Sequence, residues 1–380
     1  MRISIIGAGP AGNYLAYLLA KSNYEVNVIE EHKTIGQPIQ CTGIITSSIE
    51  NIIPLKKEFI ANKITNFKII APNNNSVEFN FKKPNYIIHR DKFDKYLANL
   101  AKKAGAKYNL NTKYLSNTKN TITTKSRKTT EKQFDILIGA DGPNSLVARN
   151  NNLFKKREFT MGQQVTAKLN LPKNQISIYL GVGEFAWIVP EKSNIFRIGL
   201  VAKNNSNEIF KAFIKRIEQE NNIKIKPIQN QSGIIPIFNP KQKTFGSTAS
   251  EHTKGAHSKG EIKYNLFLLG DAATQVKATS YGGIIHGLIA AQCIADKINK
   301  KKKYEKSLNQ KVNKDLRYAL LIRKVLNRFT ADDYNQLINY LSKKDAKTIL
   351  EEYDRDFPSK FAFKLFLAQP KLIRFVKKLI

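Results

Sequence analysis

Gly7, Gly9 and Gly12 stand between two short apolar runs, Ile3-Ser4-Ile5-Ile6 and Val26-Asn27-Val28-Ile29, and the acid Glu30 closes the second run. Each glycine at that spacing has its own physical job. Gly7 makes a tight turn, Gly9 lets the backbone approach a diphosphate, and Gly12 lets a helix pack closely on its strand. Leu15, Leu18 and Leu19 give that helix its apolar side, and its first turn, which contains Ala11, offers free N–H groups and a positive dipole end to phosphate oxygens. A carboxylate at position 30 is placed to accept hydrogen bonds from ribose hydroxyls. The chemistry implied is non-covalent capture of a dinucleotide. A glycine-rich turn of some other α/β protein is the bland alternative; strand, helix, second strand and acid in the right order argue against it.

Two later acids sit at the carboxyl ends of apolar strands, where open α/β sheets bind ligands. Phe134-Asp135-Ile136-Leu137-Ile138-Gly139 runs into Ala140-Asp141-Gly142, and Leu266-Phe267-Leu268-Leu269 runs into Gly270-Asp271. These three signatures, in this order, resemble the FAD domain of the flavoprotein hydroxylase and reductase superfamily. The resemblance implies FAD, with Asp271 holding the ribityl chain. It also implies that Arg90 reaches the cofactor from the start of a helix (Phe93, Leu97, Leu100, Ala104) that ends at Gly105. A surface arginine is the other reading of Arg90.

Three stretches narrow the resemblance to the archaeal geranylgeranyl reductases. Gly36 to Ile45 is a Gly- and Pro-punctuated loop that is similar to that family's Cys-x-Gly-Gly segment, with Cys41 and Gly43 kept and Ile44 in place of the second glycine. Gly181 to Pro190 resembles an aromatic signature of the family, keeping Trp187 and Pro190 and placing Phe185 where the family has tyrosine. Asp271 to Ile284 reads very nearly as in the family, with Tyr281 replacing a small residue and Gly282-Gly283 entering a helix at Ile284, where the resemblance implies that backbone N–H groups approach the flavin's pyrimidine edge. The resemblance covers most of residues 1–300 and places the Cys41 loop beside the flavin. It implies reduction of isolated C=C bonds in the isoprenoid chains of a glycerolipid, on the route to archaeal membrane lipid. Phe185 and Trp187 would line an apolar channel. Cys41, Tyr281 and bound water are the candidate proton donors, and Trp187 belongs with Cys41 and Tyr281 in the catalytic set. An FAD-dependent monooxygenase acting on an apolar substrate shares the fold and is the rival; a membrane-bound flavin protein acting only as an electron carrier is a third class. The electron donor stays open among a ferredoxin, a nicotinamide and a deazaflavin.

The elements that must position these residues give an α/β chain, α+β overall. It comprises a Rossmann-type FAD-binding domain, an antiparallel β-sheet substrate domain and a C-terminal helical region. The FAD-binding domain is expected in three parts, residues 1–66, 86–158 and 246–299. Strands at 67–85 and the sheet at 159–245 would form the substrate domain, and 300–380 the helical region. Within it, Leu316–Val325, Tyr334–Leu341 and Phe361–Ile380 read as amphipathic helices, the last interleaving aromatic residues with lysine as an interfacial helix does. Lys113–Lys132 reads as an exposed hairpin, and 246–260, with His252 and His257, as a mobile polar loop.

At 380 residues the chain can bury two or three cores. Its two cysteines, Cys41 and Cys293, exclude a disulfide framework, and its five scattered histidines suggest no metal site. No run is apolar enough to span a membrane, and a strand at the first residues leaves no room for a signal peptide. The expected location is therefore the cytoplasm, peripheral at the inner face of the cell membrane. The net charge of +33 suits an anionic membrane surface, although a chain rich in Lys, Asn and Ile throughout would also carry it by composition. No nucleic-acid-binding motif is present, so nucleic acid is not an expected partner. Cys41 is expected to shape the alkene site, and Cys293 only to pack.

Overall fold

The computed structural model describes residues 1–247, 265–300 and 303–379. In chain order, β1 (Arg2–Ile6), α1 (Pro10–Ala20) and β2 (Glu25–Ile29) form the opening unit. Next come β3 (Ile44–Ile45), β4 (Ile60–Ile70), β5 (Ser76–Ile88), α2 (Arg90–Lys103) and β6 (Lys107–Asn109). The small strands β7 (Lys113–Asn117), β8 (Thr121–Lys125) and β9 (Thr129–Gln133) precede β10 (Ile136–Gly139) and α3 (Leu146–Asn150). Then follow β11 (Phe159–Lys168), β12 (Gln175–Tyr179), β13 (Phe185–Lys192), β14 (Ile195–Ala202), α4 (Ser206–Asn221) and β15 (Pro227–Pro236). The chain returns through β16 (Phe245–Ser247), β17 (Asn265–Leu268) and α5 (Ile284–Ile298). It ends in α6 (Tyr304–Leu308), α7 (Lys314–Leu326), α8 (Ala331–Leu341), α9 (Lys344–Glu352) and α10 (Ala362–Ala368).

One sheet has the order β16-β17-β10-β1-β2-β6 and is parallel except for the edge strand β16. Its central strands bury almost every side chain, as expected where both faces are covered. Leu15 and Leu19 of α1, Leu97 and Ala101 of α2, and Leu288 and Ala291 of α5 share one core with Ile3, Ile5 and Val28. The opposite face is covered by the β7–β9 meander, where Tyr114 and Ile122 are buried against Leu137 and Leu266. The stretch expected as an exposed hairpin is thus a three-stranded cover. Its sparse apolar residues alternate with polar ones and point inward at the period of a strand.

The second sheet has the order β15-β11-β14-β13-β12-β4-β5-β3 and is antiparallel except where β12 lies parallel to β4. Pairing carries its first hairpin outside the expected 67–85 segment, since β4 starts at Ile60 and β5 continues to Ile88. Ile60, Ile64, Ile87 and Ile88 find partners across the hairpin there, which extends the ladder at its open end, away from the turn. Residues 246 and 247, expected in a polar loop, belong to β16; the rest of that loop, with His252 and His257, lies outside the described residues.

The last expected helix is broken. Helix α10 stops at Ala368, and Pro370–Leu379 is a 3₁₀ stretch. Pro370 has no N–H to continue the helix and forces Gln369 out of the helical region. Helix α8 begins three residues earlier than Tyr334 because Thr330 and Asp333 form a reciprocal capping box, and α9 was not anticipated. Among the described residues no helix is long and apolar enough to cross a membrane.

Candidate active site

The loops after β1, β10 and β17 converge at the carboxyl edge of the parallel sheet. A Cβ on Gly7 would stand 2.3 Å from the Ala140 carbonyl oxygen, and one on Gly12 would stand 2.3 Å from that of Gly7. Gly9, by contrast, has nothing within 4 Å of where its Cβ would be. Two glycines are therefore packed against backbone, while the third opens onto free space that a diphosphate can enter. Helix α1 has Pro10 in its first turn and no side-chain cap, so the N–H groups of Ala11 and Gly12 remain for a ligand.

Glu30 is buried, and its carboxylate is already engaged. Oε2 accepts from Ala8 N–H at 2.7 Å, and Oε1 from His32 N–H at 2.9 Å. Oε2 keeps a lone pair for a ribose hydroxyl. Asp141 spends both oxygens on its own turn, Oδ1 on the Ser145 hydroxyl at 2.6 Å and Oδ2 on Val147 N–H at 3.0 Å. The Asp141 carboxylate is thus committed to its own turn, and Gly142 has nothing within 4 Å of where its Cβ would be. Among the described residues the Asp271 side chain has no hydrogen-bond partner, while its backbone carbonyl accepts from Thr274 N–H at 3.0 Å. Burial pushes its carboxyl above the usual range, against the pull of Arg90 and Arg157. A carboxylate with unused acceptors suits the hydroxyls of a ribityl chain.

Arg90 is clasped by Asp94, Nη2 to Oδ2 at 2.9 Å and Nε to Oδ1 at 3.1 Å. Its guanidinium also feels Cys41, so arginine, cysteine and Asp271 share one neighbourhood. Cys41 is half-buried, and its Sγ accepts from Gly43 N–H at 3.3 Å. Cys293 is fully buried on α5, 3.4 Å from Ser307 Oγ, and neither cysteine forms a disulfide.

Gly282 is exposed and Gly283 half-buried, directly before α5, which has no side-chain cap. The N–H groups of Ile284 and the residue after it therefore have no acceptor within the helix. Tyr281 is buried in a left-handed conformation (φ 52°) and lies nearly parallel to Phe185, with ring centroids 6.2 Å apart. Burial holds its phenol far above its ordinary pKa, so it keeps its proton. Trp187 packs at 5.7 Å from Phe185, and its indole N–H goes to Gln164 at 3.2 Å. With that one donor committed, Trp187 contributes an apolar wall rather than a proton. Phe185, Trp187, Tyr281 and Val276 form one cluster, so the aromatic strand and the Gly282–Gly283 loop meet.

Several residues around the site carried no sequence signal. Arg157 donates to Pro143 O at 2.9 Å and to Ala272 O at 2.7 Å, tying together the turns that hold Asp141 and Asp271. Arg197 is buried, donates to the carbonyls of Thr42 and Ile88, and is held by Glu191 at 2.9 Å, which fixes the Cys41 loop. Lys277, on the loop before α5, pairs with Asp356, and Arg323 of α7 donates to Ala278 O, so both tie that loop to the C-terminal region. All four are ordinary basic residues in a chain that has 63 of them.

Residues 1–284 match the model of the FAD binding domain family. The chain belongs to that family, and its cofactor is FAD. Gly7, Gly9 and Gly12, with the free carboxylate of Asp271, are suited to hold it. Along its whole length the chain is 27% identical to a digeranylgeranylglycerophospholipid reductase of Methanocaldococcus jannaschii, covering 98% of that protein. A second relative of that name, from Methanosphaera stadtmanae, is 28% identical over 91% of the chain and 90% of its own length. Among solved structures, a geranylgeranyl bacteriochlorophyll reductase-like protein of Thermoplasma acidophilum superposes with a TM-score of 0.81 at 21% identity, covering 100% of this chain and 99% of that one. The flavin-dependent brominase Bmp2 superposes at 0.68 and 15%, covering 96% and 99%. These structural likenesses establish the fold: a parallel FAD-binding sheet joined to an antiparallel sheet.

Proposed function

We propose that this flavoprotein saturates isolated C=C bonds in the geranylgeranyl chains of an archaeal glycerophospholipid. The observation that carries the reading is the apolar cluster of Phe185, Trp187, Val276 and Tyr281, which adjoins the Gly282–Gly283 loop expected to meet the flavin. The two full-length relatives of matching name support it. When bound, the flavin supplies the hydride that an unactivated alkene needs. Such an alkene develops no oxyanion, so the protein's share is to orient the chain and exclude water. The aromatic cluster does both. The second carbon needs a proton; Tyr281 stays protonated, and Cys41, in the Arg90 neighbourhood, is the second candidate donor.

The substrate lives in a membrane, and the C-terminal region offers a face for one. Tyr318, Leu321 and Ile322 of α7, Phe363, Phe366 and Leu367 of α10, and Ile373 and Val376 beyond it are exposed. Lys364, Lys371, Arg374 and Lys377 are interleaved with them. Apolar side chains ringed by cations suit the surface of an anionic bilayer.

Incubating dithionite-reduced protein with geranylgeranyl glycerophospholipid and weighing the lipid by mass spectrometry tests the reaction. A gain of two hydrogens per reduced bond is expected. Unchanged lipid, with flavin that stays reduced, would sink the proposal.

A further inference from the structure

The loop from Lys277 to Gly282 that enters α5 is closed by its own backbone. Lys277 N–H donates to Gly282 O at 3.1 Å, and Tyr281 N–H donates to Lys277 O at 2.7 Å. Two buried cations then fasten it to the C-terminal region from different directions. The Lys277 ammonium, 1% exposed, pairs with Asp356, and Asp356 also accepts from the Thr46 hydroxyl at 2.9 Å. Arg323, on the inner side of α7, donates from Nε to Ala278 O at 3.0 Å and from Nη2 to Thr279 O at 2.9 Å. Its Nη1 reaches Glu184 O at 3.1 Å, and the guanidinium lies 5.5 Å from the Tyr281 ring and 5.6 Å from that of Phe185.

These contacts are an expensive way to hold a loop. A buried ion pair is often no more stabilising than apolar residues of the same volume, so stability alone does not account for one here. What the pair and the forked arginine do supply is direction. Each cation has one arrangement that satisfies its partners, and both arrangements set the path of the same loop. Asp356 adds a second link, since Thr46 follows the Cys41–Gly43 loop and is joined through Asp356 to Lys277.

We propose that Lys277 and Arg323 are positioning residues: through Asp356 and α7 they make the C-terminal region hold the loop that presents Gly282 and Gly283 to the flavin. The inference rests on the reading that this loop faces the cofactor. The C-terminal region is thereby part of the site's construction, as well as the face offered to a membrane.

The test uses the purified holoprotein and three variants. In Lys277→Met/Asp356→Leu both charges of the buried pair leave together, so no lone buried charge remains. Arg323→Lys keeps the charge and loses the fork. Lys277→Arg keeps the ion pair. Flavin affinity is read from the fluorescence of released FAD, the flavin's surroundings from its visible absorption bands, and folding from Tm. The double variant and Arg323→Lys are expected to keep a cooperative melt near that of the parent, to release FAD about tenfold more readily and to show displaced flavin bands. Lys277→Arg should restore most of the parent's behaviour. Where the double variant does not fold, Arg323→Lys decides by the same readouts. Parental affinity and bands in a folded double variant and in Arg323→Lys would overturn the proposal. A parent protein that holds FAD yet reduces no alkene would count against the proposed reaction and leave these flavin readouts to judge the clamp.

Discussion

Arg157 donates to the carbonyl oxygen of Ala272 at 2.7 Å, across a separation in sequence of more than a hundred residues. Its other terminal nitrogen reaches Pro143 O, so one guanidinium spans the two acidic turns of the FAD site. Burial pulls its pKa down to about 10, which still leaves it charged at neutral pH. Arg157→Met removes both bonds, together with the guanidinium that lies 4.0 Å from the centre of the Phe154 ring. FAD affinity should drop about tenfold, since hydrogen bonds to charged groups are worth about 1.5–3 kcal/mol each and only part of that reaches the cofactor. Equilibrium dialysis of FAD against the variant is the measurement; parental affinity would show that the turns hold their shape without it.

Gly12→Val is expected to abolish FAD binding. The new Cβ would meet Gly7 O at 2.3 Å and Ala140 Cβ at 3.2 Å, and both belong to the turns that shape the diphosphate site. A purified variant that is colourless but folded by circular dichroism is the expected result. Full stoichiometric flavin would show that the backbone can yield.

The two cysteines should separate. Cys41→Ala is expected to retain FAD and lose most alkene reduction, because Cys41 lies half-buried beside Arg90. Cys293→Ala, in the core of α5, should cost about 1–2 kcal/mol of stability and leave turnover per flavin unchanged. Equal turnover in both variants with FAD intact would remove any special role for Cys41.

Binding to vesicles should require anionic lipid and weaken as salt rises, because the proposed face interleaves apolar side chains with lysine and arginine. Phe363→Ser/Leu367→Ser/Ile373→Ser changes only exposed positions, so the fold should be kept while vesicle binding falls at least tenfold. Undiminished sedimentation with vesicles would place the membrane face elsewhere.

His286 predicts a pH dependence of stability. Burial, partly opposed by Asp356 and reinforced by Lys277, lowers its pKa below the ordinary 6.5, so the folded protein holds it neutral. An unfolded histidine takes up a proton near pH 6.5. Below that pH the unfolded chain therefore binds more protons, and stability falls as pH drops toward the lowered folded value. Tm should decline between pH 7.5 and about 5.5, and His286→Leu should flatten that slope whatever it does to the baseline. A slope identical to the parent's would assign the effect to other groups.

The FAD-binding unit was legible in the amino-acid sequence because its rules are local. A tight turn, a free helix start and a close helix–strand approach each demand glycine at one position, and alternation or continuity of apolar residues marks which strands are half or fully covered. That logic reaches Gly7, Gly9, Gly12 and the strands before Asp141 and Asp271. It failed where a local pattern was outweighed by packing: the β7–β9 cover is too polar to announce a buried face, and Pro370 divides a stretch whose amphipathic period continues on either side. Tertiary structure alone decided which basic residues matter. Arg157, Arg197, Lys277 and Arg323 acquire partners only when turns far apart in the chain are brought within hydrogen-bond reach, and a buried cation is costly unless those partners are all in place. It also decided what Asp141 does, since a carboxylate at a strand's end reads the same whether it faces a ribityl chain or, as here, caps the helix that follows.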